Sequence, residues 1–188
     1  MRTVLICDDE PVIRMSLKSM LLEVGFDEIM ECGDGEAAVA TALSRLPDIA
    51  ILDIAMPKMD GITATREIRK KLKIPIIFLT AAFDPETVQK AKEAGIAAFL
   101  TKPLRKQDLW PAIELAFAHA DEMESLKEQV EELKETIENR KIIEKAKGAL
   151  MQSQGLSEPE AFRRMQKLAM DKRKSMRQIA EAILLTEA

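Results

Sequence analysis

The sequence predicts a doubly wound α/β domain with a five-stranded parallel sheet over residues 1–120, a coiled-coil helix over 121–140, and a small three-helix all-α domain over 141–188. Three observations carry this division. Short apolar runs alternate with helical patterns of about 10 to 15 residues as far as residue 120, the signature of βα units. Met123, Leu126, Val130, Leu133 and Ile137 are then spaced 3, 4, 3, 4, a heptad seam. The last fifty residues are punctuated by Gly155 and by two Ser-x-x-Glu/Gln boxes, which mark short helices.

Within the first domain, the runs at 3–7, 28–32, 49–53, 76–80 and 98–101 read as strands, and the order 2-1-3-4-5 is expected for this class. Helices are expected near 11–24, 35–46, 61–72 and 85–94, with a fifth starting near 106. Pro11 and Pro85 suit first helical turns, and Gly25 and Gly95 suit helix ends. The central strand is Ile49-Ala50-Ile51-Leu52-Asp53, with no polar residue before its last. Such a run is buried on both faces and delivers Asp53 to the carboxyl edge of the sheet.

The heptad seam is about two heptads long, marginal alone and plausible when it continues the fifth helix and is duplicated in a dimer. After Ile137 the next seam positions would be Arg140 and Glu144, whereas the apolar residues resume at Ile143, Ala146 and Leu150. This slip implies that the helix enters a different packing environment. It should run to about Gln154. Ser157 with Glu160 boxes a second helix carrying Ala161, Phe162, Met165, Leu168 and Ala169 on one apolar face, and Ser175 with Gln178 boxes a third, with Met176, Ile179, Ala180, Ile183 and Leu184 inward.

Composition narrows the classes. Hydrophobic residues make up 47% of the chain, enough for a core, and no run approaches a membrane span. The amino terminus lacks the pattern of a secretory peptide, so a cytoplasmic protein without membrane association is expected. Cys7 and Cys32 fall in strands and read as small buried hydrophobes. The net charge of −4 hides an asymmetry: residues 140–188 carry 11 basic against 6 acidic side chains, a candidate polyanion-binding module.

Asp8, Asp9 and Glu10 close the first strand as Asp53 closes the third. Neighbouring strands would bring these carboxylates together, and mutual repulsion then calls for a divalent cation, Mg2+ or Mn2+ by ligand type. Thr80 ends the fourth strand in a hydroxyl, and Lys102-Pro103 follows the fifth. A cation, a metal and a hydroxyl around a carboxylate form a charge clamp for a phosphoryl group, with Asp53 attacking phosphorus in line.

Asp8-Asp9, Asp53, Thr80-Ala81 and Lys102-Pro103, in this order over residues 1–120, resemble the receiver domain of two-component response regulators. The resemblance implies that Asp53 is the phosphoacceptor and a sensor histidine kinase the donor, and that the protein is a regulator rather than an enzyme. It implies Mg2+ held by Asp9, Asp53 and the Ala55 carbonyl, with Asp8 acting mainly through water. Lys102 would contact the phosphoryl group beside a cis bond to Pro103, Thr80 would be the switch hydroxyl, and Phe99 the aromatic that follows it.

A helical module after such a domain is first expected to be a DNA-binding helix-turn-helix. Asp171-Lys172-Arg173-Lys174 lacks the glycine often found in that turn, and only Arg177 and Gln178 open the third helix. Gly148 inside a helix costs roughly 1 kcal/mol relative to alanine, which asks for a close approach by a neighbouring helix or by a ligand. Ala146-Lys147-Gly148-Leu150-Met151, with Leu156 to Phe162 and Met176 to Ala180, resembles the ANTAR domain over roughly residues 130–186. That resemblance implies a three-helix bundle that binds paired RNA stem-loops of leader transcripts and prevents transcription termination. Lys172-Arg173-Lys174-Ser175 is more cationic than the family pattern. With Phe162 assigned to the apolar face, recognition is expected from Lys145, Lys147, Arg163, Arg164, Lys167, Lys172, Arg173 and Arg177 and from backbone near Gly148. The expectation is a phosphorylation-dependent antiterminator that forms a homodimer through the coil. Its rivals are a DNA-binding regulator with the same input domain and a regulator that docks onto a protein.

Overall fold

A computed structural model describes residues 2–81 and 85–186 of the chain. It divides into two compact units, Met1–Glu124 and Ser125–Ala188. In the first unit, strands β1 (Thr3–Cys7), β2 (Glu28–Cys32), β3 (Ile49–Asp53), β4 (Ile76–Thr80) and β5 (Ala98–Thr101) alternate with helices α1 (Pro11–Glu23), α2 (Gly35–Arg45), α3 (Gly61–Arg69) and α4 (Pro85–Ala94), and α5 (Lys106–Gln154) begins after β5. All strand pairs are parallel, in the order β2-β1-β3-β4-β5.

Three of the helices are shorter than expected at their carboxyl ends. For α2 the cause is Leu46, which takes a left-handed conformation (φ 50°) and ends the hydrogen-bond ladder.

Alternation along the strands explains why the sheet is covered twice. Val4, Ile6, Ile49, Ile51, Ile77 and Leu79 face a layer containing Leu17 and Leu21 of α1 and Leu109 and Ile113 of α5. Leu5, Cys7, Ala50, Leu52, Ile76 and Phe78 face Ala38 and Ala42 of α2, Ala64 and Ile68 of α3, and Ala91 of α4. Every residue of β3 is buried. Burying each such aliphatic side chain contributes about 1.5–3 kcal/mol, so the central strand is held rigidly and its last residue with it. Cys7 and Cys32 are free and buried, and they are register partners on adjacent strands.

The second unit consists of the later part of α5 with α6 (Glu158–Lys172) and α7 (Met176–Thr186). Ala146 and Leu150 of α5, Ala161 and Met165 of α6, and Ile179, Ala180 and Ile183 of α7 form its core, with Ile143 packed against it. The apolar residues after the heptad slip are thus the ones that enter the bundle. Both capping boxes form. The Ser157 amide donates to Glu160 Oε2 at 2.9 Å; the Ser175 amide donates to Gln178 Oε1 at 3.1 Å and the Gln178 amide to Ser175 Oγ at 3.2 Å.

One expected core position is overturned. Phe162 is 40% exposed and is not part of the buried cluster. Successive helical residues are rotated by about 100°, so with Ala161 and Met165 pointing inward, Phe162 turns off the core line. The seam residues Met123, Leu126, Val130, Leu133 and Ile137 are all exposed on α5. No described helix is long and apolar enough to cross a membrane.

Candidate functional site

Parallel pairing of β1 with β3 sets Cys7 opposite Leu52, which brings the residues that follow each strand to one edge. One carboxylate oxygen from each of Asp8, Asp9 and Asp53 lies within 4.8 Å of the others. Asp8 is 1% exposed and Asp53 is buried, whereas Asp9 faces outward. Lys102 Nζ stands 2.7 Å from Asp8 Oδ2 and 3.2 Å from Asp53 Oδ1, with Glu10 Oε1 at 3.6 Å.

The electrostatics follow from burial. Desolvation pushes the Asp53 carboxyl above its ordinary range, against the opposing pull of Lys102. Burial disfavours the Lys102 ammonium too, but hydrogen bonds and attraction from Asp8 and Asp53 outweigh it and hold its pKa above the usual value. Asp8 Oδ1 accepts from the Glu10 amide at 2.9 Å. Asp8 Oδ2 is buried and meets the Lys102 ammonium at 2.7 Å. A buried carboxylate beside two more carboxylates is a donor set that fits a hard divalent cation.

Other expected members take their places around this cage. Thr80 is buried at the end of β4, and the Lys102 amide donates to its carbonyl at 2.8 Å. Phe99 on β5 packs edge-on against Phe78, with ring centroids 6.3 Å apart. The Lys102–Pro103 bond is cis. Ala55 lies exposed in the loop after β3.

Several supporting residues had no signal in the sequence reading beyond a turn pattern. Gly61 begins α3 so close to the central strand that an added Cβ would stand 2.1 Å from the Asp53 carbonyl oxygen; at Gly35 it would stand 2.2 Å from that of Met59. Asp60 caps α3 by accepting from the Thr63 amide at 2.9 Å. Arg14 Nη1 donates to the Asp8 carbonyl at 2.6 Å, fixing the loop that carries the acidic pair. The Asp60-Gly61 pair is visible as a turn in the sequence, but the approach that demands glycine is a tertiary fact.

In the second unit the expected cations separate into two kinds. Lys145, Arg163, Arg164, Lys167, Lys172 and Arg173 are exposed. Arg177 is exposed but engaged, with Nε 2.8 Å from Glu181 Oε1 and Nη1 donating to Asn139 Oδ1 at 3.0 Å. Lys147 is only 8% exposed, and its ammonium lies 2.6 Å from Glu144 Oε2 and 2.8 Å from Glu158 Oε1. It ties α5 to α6. Gly148 meets no neighbour: an added Cβ would find nothing within 4 Å, so packing against a neighbouring helix does not explain it.

Comparison with known proteins divides the chain in the same way. The family described as response regulator receiver domain matches residues 4–114, and that described as ANTAR domain matches residues 131–184. Transcriptional regulatory protein PdtaR of Mycobacterium tuberculosis is 45% identical over 185 residues, covering 98% of this chain and 90% of its own. Chemotaxis protein CheY of Bacillus subtilis is 36% identical over 111 residues, 58% of this chain and 92% of its own. Among solved structures, the signal receiver domain of a modulated diguanylate cyclase from Desulfovibrio desulfuricans matches with a TM-score of 0.60 at 32% identity, covering 64% of this chain and 97% of its own. The CheX-CheY-BeF3-Mg complex from Borrelia burgdorferi matches with a TM-score of 0.59 at 32% identity, covering 62% and 89%.

Proposed function

This chain belongs to the response regulator receiver family and carries an ANTAR domain at its carboxyl-terminal end, and from that premise we propose that it is a cytoplasmic antiterminator. In this reading, phosphorylation of Asp53 controls binding to RNA stem-loops of leader transcripts. The observation that carries the reading is the cage itself: Lys102 within 3.2 Å of buried Asp53, in a chain whose remaining third matches an RNA-binding family.

The donor is a sensor histidine kinase. An Asp53 carboxylate oxygen attacks the phosphorus of a phosphohistidine in line; the P–N bond breaks as the P–O bond forms, and the released imidazole nitrogen keeps the electron pair and then takes a proton. Asp9, Asp53 and the Ala55 carbonyl would hold Mg2+, with Asp8 acting through water. The cation neutralises charge on the phosphoryl oxygens. Lys102 supplies the matching positive charge from the protein side, moving its ammonium from the carboxylates onto a phosphoryl oxygen. The Thr80 hydroxyl then closes on the same group, and Phe99, on the neighbouring strand β5, follows. A receiver of this fold is described in complex with Mg and BeF3, which supports the donor set assigned here.

The output reading assigns RNA contacts to the exposed cations Lys145, Arg163, Arg164, Lys167, Lys172 and Arg173, to Arg177, and to the backbone at Gly148. Lys147 serves by fixing α6 against α5. The exposed seam from Met123 to Ile137 supports a homodimer, in which two bundles would meet two hairpins. Tethering then raises the effective concentration for the second hairpin with no new contact.

Filter binding tests the reading. A leader RNA with two hairpins, its duplex DNA counterpart and a salt series are titrated with phosphorylated protein. Affinity for the RNA alone, falling steeply with salt as phosphate contacts release counterions, is the expected result. Equal affinity for duplex DNA would instead assign the bundle to a DNA-binding regulator.

A further inference from the structure

We propose that Phe162 is a stacking platform for an unpaired base of the RNA loop, and that the open backbone at Gly148 is a second place where the nucleotide strand approaches. This rests on the RNA-binding reading above and names the residue that would read the loop rather than the stem.

Phe162 is the sole aromatic side chain between residues 125 and 188. The fold spends it on the surface: it is 40% exposed while the smaller Ala161 beside it is fully buried. It does not stand alone. Gln166 and Met170 follow at one-turn intervals, so the three share a stripe of α6, and Met170 is 79% exposed. Arg163 is the adjacent residue and is exposed.

Gly148 supplies an independent observation. It weakens α5 by its own helix propensity, yet nothing occupies the space where its side chain would be. A methyl group there would cost no packing within the bundle, so the glycine answers to something outside it. The two positions are connected through the Lys147–Glu158 ion pair, 2.8 Å across. Gly148 is the next residue after Lys147 on α5, and Phe162 is one turn beyond Glu158 on α6. The pair, a buried lysine held by an exposed carboxylate, therefore ties α5 to α6 beside Gly148 and one turn from Phe162.

The occupant follows from charge and shape. An apolar ring on a helix that also exposes Arg163, Arg164 and Lys167 suits a ligand with a flat apolar face and an anionic backbone. An unpaired nucleotide has both, and single-stranded RNA is commonly read by bases stacked on aromatic side chains. Paired bases in a stem have no free face to offer.

The full chain is titrated with a leader hairpin carrying 2-aminopurine in its loop, and with a blunt duplex of the same stem. Phe162→Leu keeps apolar bulk and removes the ring, whereas Phe162→Trp keeps a ring. The expected result is about a tenfold or greater loss of hairpin affinity in the leucine variant, retained affinity in the tryptophan variant, and quenching of 2-aminopurine by wild type but not by the leucine variant. Duplex binding should be equal in all three. Gly148→Ala should raise the melting temperature while lowering hairpin affinity. Unchanged hairpin affinity and quenching in Phe162→Leu would overturn the inference and leave the stripe to a protein partner. If wild-type protein binds neither RNA, the RNA-binding reading fails first, and this inference fails with it.

Discussion

Gly61 lies against Asp53 so tightly that a single added methyl carbon would stand 2.1 Å from the Asp53 carbonyl oxygen. The Gly61 amide donates to the Ile54 carbonyl at 2.9 Å, so the start of α3 is pinned to the end of β3. The position of the phosphoacceptor is therefore set by backbone packing as much as by its own side chain. Gly61→Ala should destabilise the first unit by about 1–3 kcal/mol, although alanine is the better helix former. Chemical denaturation measures this; the rate of phosphorylation should fall along with stability.

Asp53→Asn should abolish phosphorylation and also change the pH dependence of folding. The folded-state pKa of Asp53 is raised by burial, so its contribution to stability is fully present below the unfolded value of about 3.9. That contribution is lost as pH rises through the folded value. In metal-free protein at neutral pH, the asparagine variant should therefore melt at a higher temperature than wild type, with the difference closing on acidification. Thermal melts across the pH series check the sign.

Lys102→Met leaves Asp8 and Asp53 facing each other without their cation. Removing one partner from a buried ion pair costs about 3 kcal/mol or more. Added Mg2+ should restore stability by supplying charge to the same oxygens. It should not restore the lysine's part in binding the phosphoryl group, so phosphorylation stays slow. Melts with and without the metal, beside a phosphorylation time course, separate the two effects.

In the bundle, charge reversal should act in two ways. Arg163→Glu or Lys167→Glu should weaken hairpin binding and flatten its salt dependence without changing the melting temperature. Lys147→Glu would place a third carboxylate beside Glu144 and Glu158, which now hold the lysine at 2.6 and 2.8 Å. It should lower the melting temperature of the second unit and lose RNA binding through that. Met165→Ala, in the same core, should cost about 2–5 kcal/mol.

Much of this was legible in the sequence because it depends on local pattern. The five strands and the acidic edge follow from apolar runs that end in charge, the strand order follows from the fold class, and the heptad slip located the point where α5 enters the bundle. Three features were not legible. Phe162 reads as core by residue type and spacing, and only the packing of Ala161 and Met165 shows that it turns off the core line. Lys147 reads as a surface cation because its partners are a helical neighbour and a residue beyond the Gly155 turn. Gly61 reads as a turn residue, since the atom it must avoid belongs to another element.

The central claim is that phosphate on Asp53 changes how the basic bundle engages folded RNA. Its most direct measurement is the affinity of the full chain for a two-hairpin leader RNA, with and without prior phosphorylation, in wild type and in Asp53→Asn. Tighter binding by phosphorylated wild type and no response in the variant is the predicted result. Equal affinity of phosphorylated and unphosphorylated wild-type protein would contradict the account.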